Sequence, residues 1–505
     1  MTLSRVAAFV LCTGVLARPA GGQGFRLRLD TRAQSVSYRG VLLDSILASD
    51  TVTGSATGPT TSDGFAVNCA PASAYCSFFR PGALQHGRPV TSTADLLLWG
   101  VGAPGLSIHA TARLGGSLGS PVDFWPGTDP AAQLLEGYVQ YAVEHGTLQM
   151  GRQTLTSRLG FLGFDGGELT LRGAGGRLEL TGYGGLGLAR GSDLPVTSPA
   201  VNPLVDFQPT DRQIVAGAAG GWMSSRADLR VTYLREVDPS VDYFVSERFG
   251  VDVAVRPMRG WSLSGGADYD MAAGWWGSAE AALGYATKSG RVAGTVGVRR
   301  YRPHFDLWTI WGAFAPVPYR AVEGSLSFAP ITRLRLRAFG QRYKFDPADA
   351  STPLVMYETS GWRFSWGATL TPALHWTIDG GYHSEFGPGA ASRGFEGAVG
   401  FTPVAYFTLG VQAATLDRPL EYRFDNSSLK VYGLNAEYRA SSRYLVQFDA
   451  SRYVEDRQRP DAGAFDWNQV RLSARVVVVL GGNAGSGLTH LPPAVGRVAG
   501  GREQR

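Results

Sequence analysis

Between about residue 96 and residue 480 the chain alternates apolar with polar residues in about twenty short stretches, separated in turn by tight connections and by longer polar loops. The clearest is Arg333-Leu-Arg-Leu-Arg-Ala-Phe339, where Arg333, Arg335 and Arg337 share one strand face and Leu334, Leu336 and Ala338 the other. A period of two predicts strands. So many of them in one chain predict an all-β, closed antiparallel transmembrane barrel over residues 94–480 rather than a soluble sandwich. The longest apolar run, Val476 to Leu480, is β-branched and strand-sized, so no spanning helix is expected.

Turn chemistry divides the pattern into hairpins. Gly102-Ala-Pro-Gly, Glu144-His-Gly, Gly173-Ala-Gly-Gly, Ser224-Ser, Pro257-Met-Arg-Gly, Lys288-Ser-Gly, Pro330-Ile-Thr, Pro372-Ala, Pro403-Val and Ser441-Ser each fit a tight turn on one side of a membrane. Ten hairpins and a closing strand at about 466–480 make an odd total, whereas both ends of such a barrel belong on the same side. Either a further strand lies within residues 25–48 or one hairpin is misread. The expectation is 20–22 strands, with 18 as the alternative. Residues 191–211, with four X-Pro dipeptides, either fold inward as a stiff lid or form a surface loop.

The front of the chain sets the compartment. Arg5, an apolar run from Val6 to Ala17 and small residues at 20–22 read as a signal peptide over residues 1–22. Leu11 before Cys12 argues against a lipid attachment site. Residues 23–93 are less regular and are expected to form a first strand plus a loop, or a small plug. Within them Cys69 and Cys76 are expected to pair as a disulfide, because an exported chain with two nearby cysteines usually joins them. No Cys/His cluster with metal-ligand spacing appears, so neither a metal nor a cofactor is expected. Residues 481–505, rich in Gly, Pro and Arg, read as a disordered periplasmic tail.

Mean hydropathy of −0.06 is too polar for a helical membrane protein but suits a barrel in which every second strand residue faces lipid. Twelve Trp, twenty Tyr and twenty-four Phe can supply interfacial girdles, and Trp275-Trp276 and Trp308/Trp311 sit near strand ends. Loss of Arg5 and Arg18 with the signal lowers the net charge from +5 to +3, which does not suggest a nucleic-acid binder.

Catalytic patterns dissolve on inspection. Gly100 to Gly105 and Gly182 to Gly187 match a dinucleotide-binding glycine pattern without opening a helix. Ser117 lies in a nucleophile-elbow pattern without a following helix, and His383 and Ser384, adjacent on a strand, point to opposite faces. The polar strand faces then become the lumen. They include Asp228 and Arg230, Glu437 and Arg439, and Asp449, with charges of both signs that can cross-brace the interior. Arg333, Arg335 and Arg337 on one strand and Arg471 and Arg475 on another form a candidate basic ladder favouring anions.

Residues 134–190 carry a segment that resembles outer-membrane porins of the alginate-export and substrate-specific type. Leu135-Glu-Gly-Tyr-Val-Gln-Tyr-Ala142 runs into Leu148-Gln-Met-Gly-Arg-Gln153, and Ser157-Arg-Leu-Gly-Phe161 precedes Phe164-Asp-Gly-Gly-Glu-Leu169. Gly151, Arg152 and Gln153 followed by Phe164, Asp165 and Gly166 are the residues most similar to the family. The resemblance implies a single-chain conduit for acidic sugars or other small solutes. One departure concerns the last strand, which ends Val479-Leu480, whereas these barrels commonly end on an aromatic residue read by the barrel-assembly machinery.

The sequence therefore leads to a Gram-negative outer-membrane channel surrounded by lipid, exported by its signal peptide, passing small hydrophilic solutes with anions as the candidate preference, and catalysing nothing. A plugged structural or receptor-like barrel and a barrel lipid hydrolase are the alternatives.

Overall fold

The computed structural model describes residues 24–482 apart from 56–57, 71–72, 120–130, 189–211, 238, 240–244, 303–317, 347–358, 388–389, 422–424 and 458–467. The expected signal peptide, the 191–211 lid, Trp308/Trp311 and nearly all of the tail fall outside these residues.

The chain opens with a long strand, β1 (Gly24–Leu47), followed by β2 (Val52–Ser55), β3 (Gly58–Thr60), β4 (Val67–Cys69) and β5 (Tyr75–Gly87). Then come β6 (Pro89–Trp99), β7 (Leu106–Ser117), β8 (Ala132–Val143), β9 (Gly146–Ser157), β10 (Gly160–Gly173) and β11 (Leu178–Gly187). These lead to β12 (Ile214–Met223), β13 (Ala227–Val237), β14 (Val245–Val255), β15 (Trp261–Asp270), β16 (Trp275–Ala286) and β17 (Val292–Tyr301). Next are β18 (Tyr319–Ile331), β19 (Leu334–Phe345), β20 (Ser360–Leu370), β21 (Trp376–Gly387) and β22 (Ala390–Val404). The series ends with β23 (Phe407–Glu421), β24 (Asp425–Ser441), β25 (Tyr444–Arg457) and β26 (Gln469–Gly481).

Among the described residues β1 and β6 to β26 form a closed antiparallel wall of 22 strands, sealed where β1 pairs with both β26 and β6. The expected range of 20–22 strands therefore holds at its upper end, and the alternative of 18 is too low. The extra strand required by parity is β1. All ten expected tight turns join neighbouring wall strands at one end, here called the turn end. The strand ends Ser117, Gly187, Tyr301 and Phe345 lie at the opposite, loop end.

Alternation accounts for the wall. Paired residues of antiparallel strands project to the same face, so Val298 beside Val322 and Leu326 beside Ala338 extend one apolar exterior. Val296 is 63% exposed and Leu326 51%, an exterior that is stable only against lipid. With strands about 4.8 Å apart and tilted by about 40°, 22 strands enclose a space about 40 Å across, backbone to backbone.

Beyond Ser35 the strand β1 leaves the wall. Val36 to Leu47 pair with β5, and β4 adds to its far end, where Cys69 and Cys76 are disulfide-bonded with Cα atoms 4.2 Å apart. The described residues 36–87 thus make a ribbon continuing from the loop end of β1 and β6, built on its own strands. The wall strand β6 already begins at Pro89 and β1 at Gly24, so strand residues of the barrel precede the expected boundary at 94.

Candidate functional site

The hairpin between β9 and β10 is the element that narrows the interior. Strand β9 pairs with β8 only as far as Gly137 opposite Arg152, and β10 pairs with β11 only from Phe164 onward. Residues 153–162 of the tip have ladder partners only within the hairpin among the described residues, and the tip bends away from the wall. Gly151 sits at the bend with φ +132°, a conformation essentially reserved for glycine. Gly166 faces the backbone of Gly184 and Gly185 so closely that a Cβ has no room.

Hydrophobic burial sets the direction of the bend. Leu159, Leu162 and Phe164 join Val215 of β12 and Leu234 of β13 in a buried cluster on the inner wall. Tyr183 packs against Phe164 with ring centroids 5.8 Å apart, and its hydroxyl donates to the Tyr233 carbonyl at 3.1 Å. Each buried large side chain contributes about 1.5–3 kcal/mol, so the inward position is favoured by several kcal/mol.

Charge then latches the tip across the interior. The Arg158 guanidinium donates to Asp252 Oδ1 of β14 at 2.6 Å and to Ser278 Oγ and Glu280 Oε1 of β16 at 3.2 and 2.7 Å. From the wall, Arg248 donates to the Leu159 carbonyl at 2.7 Å while contacting Glu236 at 3.3 Å. Arg158 and Arg248 are nearly buried, whereas Asp252 and Glu280 remain about two-fifths exposed. A cavity of about 310 Å³ lies between hairpin and wall, lined in part by Arg158, Arg230, Arg302, Asp268 and Tyr301.

The family-like residues are the base of this hairpin. Arg152 holds Asp165 through two hydrogen bonds of 2.8 and 3.0 Å, and Arg212 adds a third at 2.7 Å. Gln153, buried, donates to the Gly166 carbonyl. Together with Gly151 and Phe164 they set the bend, while the residues that latch it lie elsewhere.

The expected basic ladder is broken up. Arg333 is not on a strand: β19 starts at Leu334, and Arg333 occupies the turn, donating to the Pro372 carbonyl at 3.2 Å. Arg335 and Arg337 lie on the inner face, where Arg337 is 3.7 Å from Asp379. Arg335 has no ion-pair partner among the described residues. Arg475 is neutralised by Asp30 at 2.6 and 2.7 Å across the β1–β26 seam, and Arg471 lies over the Tyr453 ring at 5.1 Å. Seven strand positions separate β19 from β26, so the two sets of arginines enter the lumen from different parts of the wall.

The other expected lumen residues are mostly cross-braced. Asp228 accepts from Arg256 at 2.7 Å. Glu437 accepts from Arg439 at 2.6 Å and Gln447 at 2.8 Å, and Asp449 from Ser473 at 3.3 Å. Arg230 faces the hairpin cavity. No group of three His, Cys, Asp or Glu residues suited to a metal occurs among the described residues.

No protein-family model matches the chain, and no curated protein matches it. Among solved structures it is similar to Pseudomonas aeruginosa OccK3 (OpdO), at 10% identity over 91% of this chain and 96% of that one, with a TM-score of 0.38. Pseudomonas aeruginosa OprD aligns at 10% identity over 91% and 95%, with a TM-score of 0.37. The siderophore receptor PirA from the same organism aligns at 11% identity over 92% and 81%, with a TM-score of 0.48. At these scores the likenesses assign neither family nor function.

Proposed function

We propose that the protein is an outer-membrane channel through which small hydrophilic solutes diffuse passively, with the β9–β10 hairpin narrowing the path. The supporting observation is a 22-strand wall, apolar outside and polar inside, around a space too wide for side chains alone to fill. The turn end faces the periplasm and the loop end the outside. Arg335 and Arg230, free of ion pairs among the described residues, make anions the preferred solutes. The barrel works without cofactor or catalysis. Planar-bilayer recording of the refolded protein under a salt gradient tests this reading. Steady conductance with an anion-favouring reversal potential supports it, whereas a correctly folded but silent barrel points to the receptor-like alternative.

A further inference from the structure

The outer surface of β17–β19 carries a concentration of charge at the level where the apolar exterior ends. Arg300 pairs with Arg320, and Arg320 with Lys344, so these three project from one cross-strand row toward the surroundings of the barrel. One register step nearer the membrane centre, Arg342 sits between the apolar Val322 and Trp362. Among the described residues these four cations share one nearby carboxylate, Asp346, which contacts Arg300 at 3.4 Å and Arg320 at 3.3 Å. Arg342 and Lys344 are exposed and have no ion-pair partner among the described residues. The buried Nε of Arg300 also lacks a hydrogen-bond partner among the described residues. Elsewhere at this end the outward Arg393 meets Asp417 at 3.5 Å.

The wall beneath the cluster is shaped as well as apolar. Gly324 and Gly340 are paired neighbours on the outward face, flanked by Val296 and Phe364. A Cβ placed on Gly340 meets nothing within 4 Å. The result is a shallow notch, bordered by large apolar side chains, opening directly below Arg342.

We infer that this patch binds the phosphorylated headgroup of an outer-leaflet glycolipid, with Arg320, Arg342 and Lys344 holding phosphate and the Gly324–Gly340 notch receiving an acyl chain. The inference rests on the orientation in the proposed function, which places the loop end in the outer leaflet. Guanidinium groups suit phosphate through paired N–H donors, and each further cation strengthens the attraction for an anionic lipid surface. The notch selects a lipid over a free anion, because only a lipid has chains to fill it.

The test uses the full chain refolded in zwitterionic detergent and titrated with bis-phosphorylated lipid A in mixed micelles. Dephosphorylated lipid A and inorganic phosphate serve as comparison probes. Tight binding of the bis-phosphorylated lipid that weakens at least about tenfold in R320Q/R342Q/K344Q supports the site. Retention of binding in the charge-preserving R342K/K344R variant also supports it. Equal binding of the dephosphorylated lipid, or unchanged affinity in the triple variant, overturns it. Displacement of the lipid by millimolar inorganic phosphate overturns the lipid assignment. Heat-modifiable gel mobility verifies folding of each variant. Conductance in neutral phosphatidylcholine bilayers reports the channel separately, so loss of lipid binding and failure of the channel reading are told apart.

Discussion

Arg158 and Glu280 meet at 2.7 Å although 122 residues separate them, and through that contact the tip of one wall hairpin is tied to a strand far along the barrel. Arg158 is nearly buried, so its removal leaves Asp252 and Glu280 without their shared cation.

The first prediction follows from this latch. Arg158→Ala should free the tip from β14 and β16 while the buried Leu159, Leu162 and Phe164 still seat it against β12 and β13. Single-channel records should show larger mean conductance with added flicker, and the barrel's thermal stability should change little. A record indistinguishable from wild type would mean that the hairpin does not narrow the path. Because the acids are partly exposed, the coupling energy of the R158A/E280A cycle should be modest, on the order of 1 kcal/mol.

The bend itself depends on glycine. Gly151→Ala forces a side chain into φ +132°, and Gly166→Ala drives a Cβ into the neighbouring backbone. Each should destabilise the hairpin by about 1–3 kcal/mol. Increased protease cleavage around residues 153–163, with barrel gel mobility retained, would display the local loss; uniform protection would contradict the account of the bend.

How much of this was readable in the residues differs from element to element. The ten tight turns were legible because Gly, Pro and Ser leave local chemistry in the chain, whereas parity left β1 as one of two alternatives, beside a misread hairpin. The wall faces followed from alternation alone. The infolded tip was not, because Leu155, Leu159 and Leu162 look like ordinary strand residues until Val215 and Leu234 are known to stand opposite them. Arg333 was misplaced for a local reason: alternation continues for one residue past the point where the turn begins. Neutralisation of Arg475 by Asp30 depends on closure of the barrel, which joins residues 445 positions apart.

The disulfide belongs to the ribbon, not to the wall. Replacing Cys69 and Cys76 with Ser reopens a short loop worth about 2.5 kcal/mol in the chain-entropy account. Its effect should stay local: faster proteolysis within residues 52–80, with barrel melting and conductance unchanged. A fall in barrel stability would show that the ribbon supports the wall.

The charges that set selectivity can be separated by their partners. Arg335 and Arg337 point into the same lumen from one strand, but Asp379 stands 3.7 Å from Arg337 and no carboxylate pairs with Arg335 among the described residues. A paired cation presents little net field to a passing ion, whereas an unpaired one raises the local anion concentration. Arg335→Gln should therefore move the reversal potential toward cation preference more than Arg337→Gln does. Asp379→Asn should act in the opposite sense by releasing the Arg337 charge. All three shifts should shrink between 0.1 M and 1 M salt, where the Debye length falls from about 10 Å to about 3 Å. If Arg335→Gln left anion/cation permeability untouched at low salt while conduction persisted, the selectivity would reside outside β19, and the cations around the hairpin cavity, Arg230 and Arg302, would be the next to neutralise.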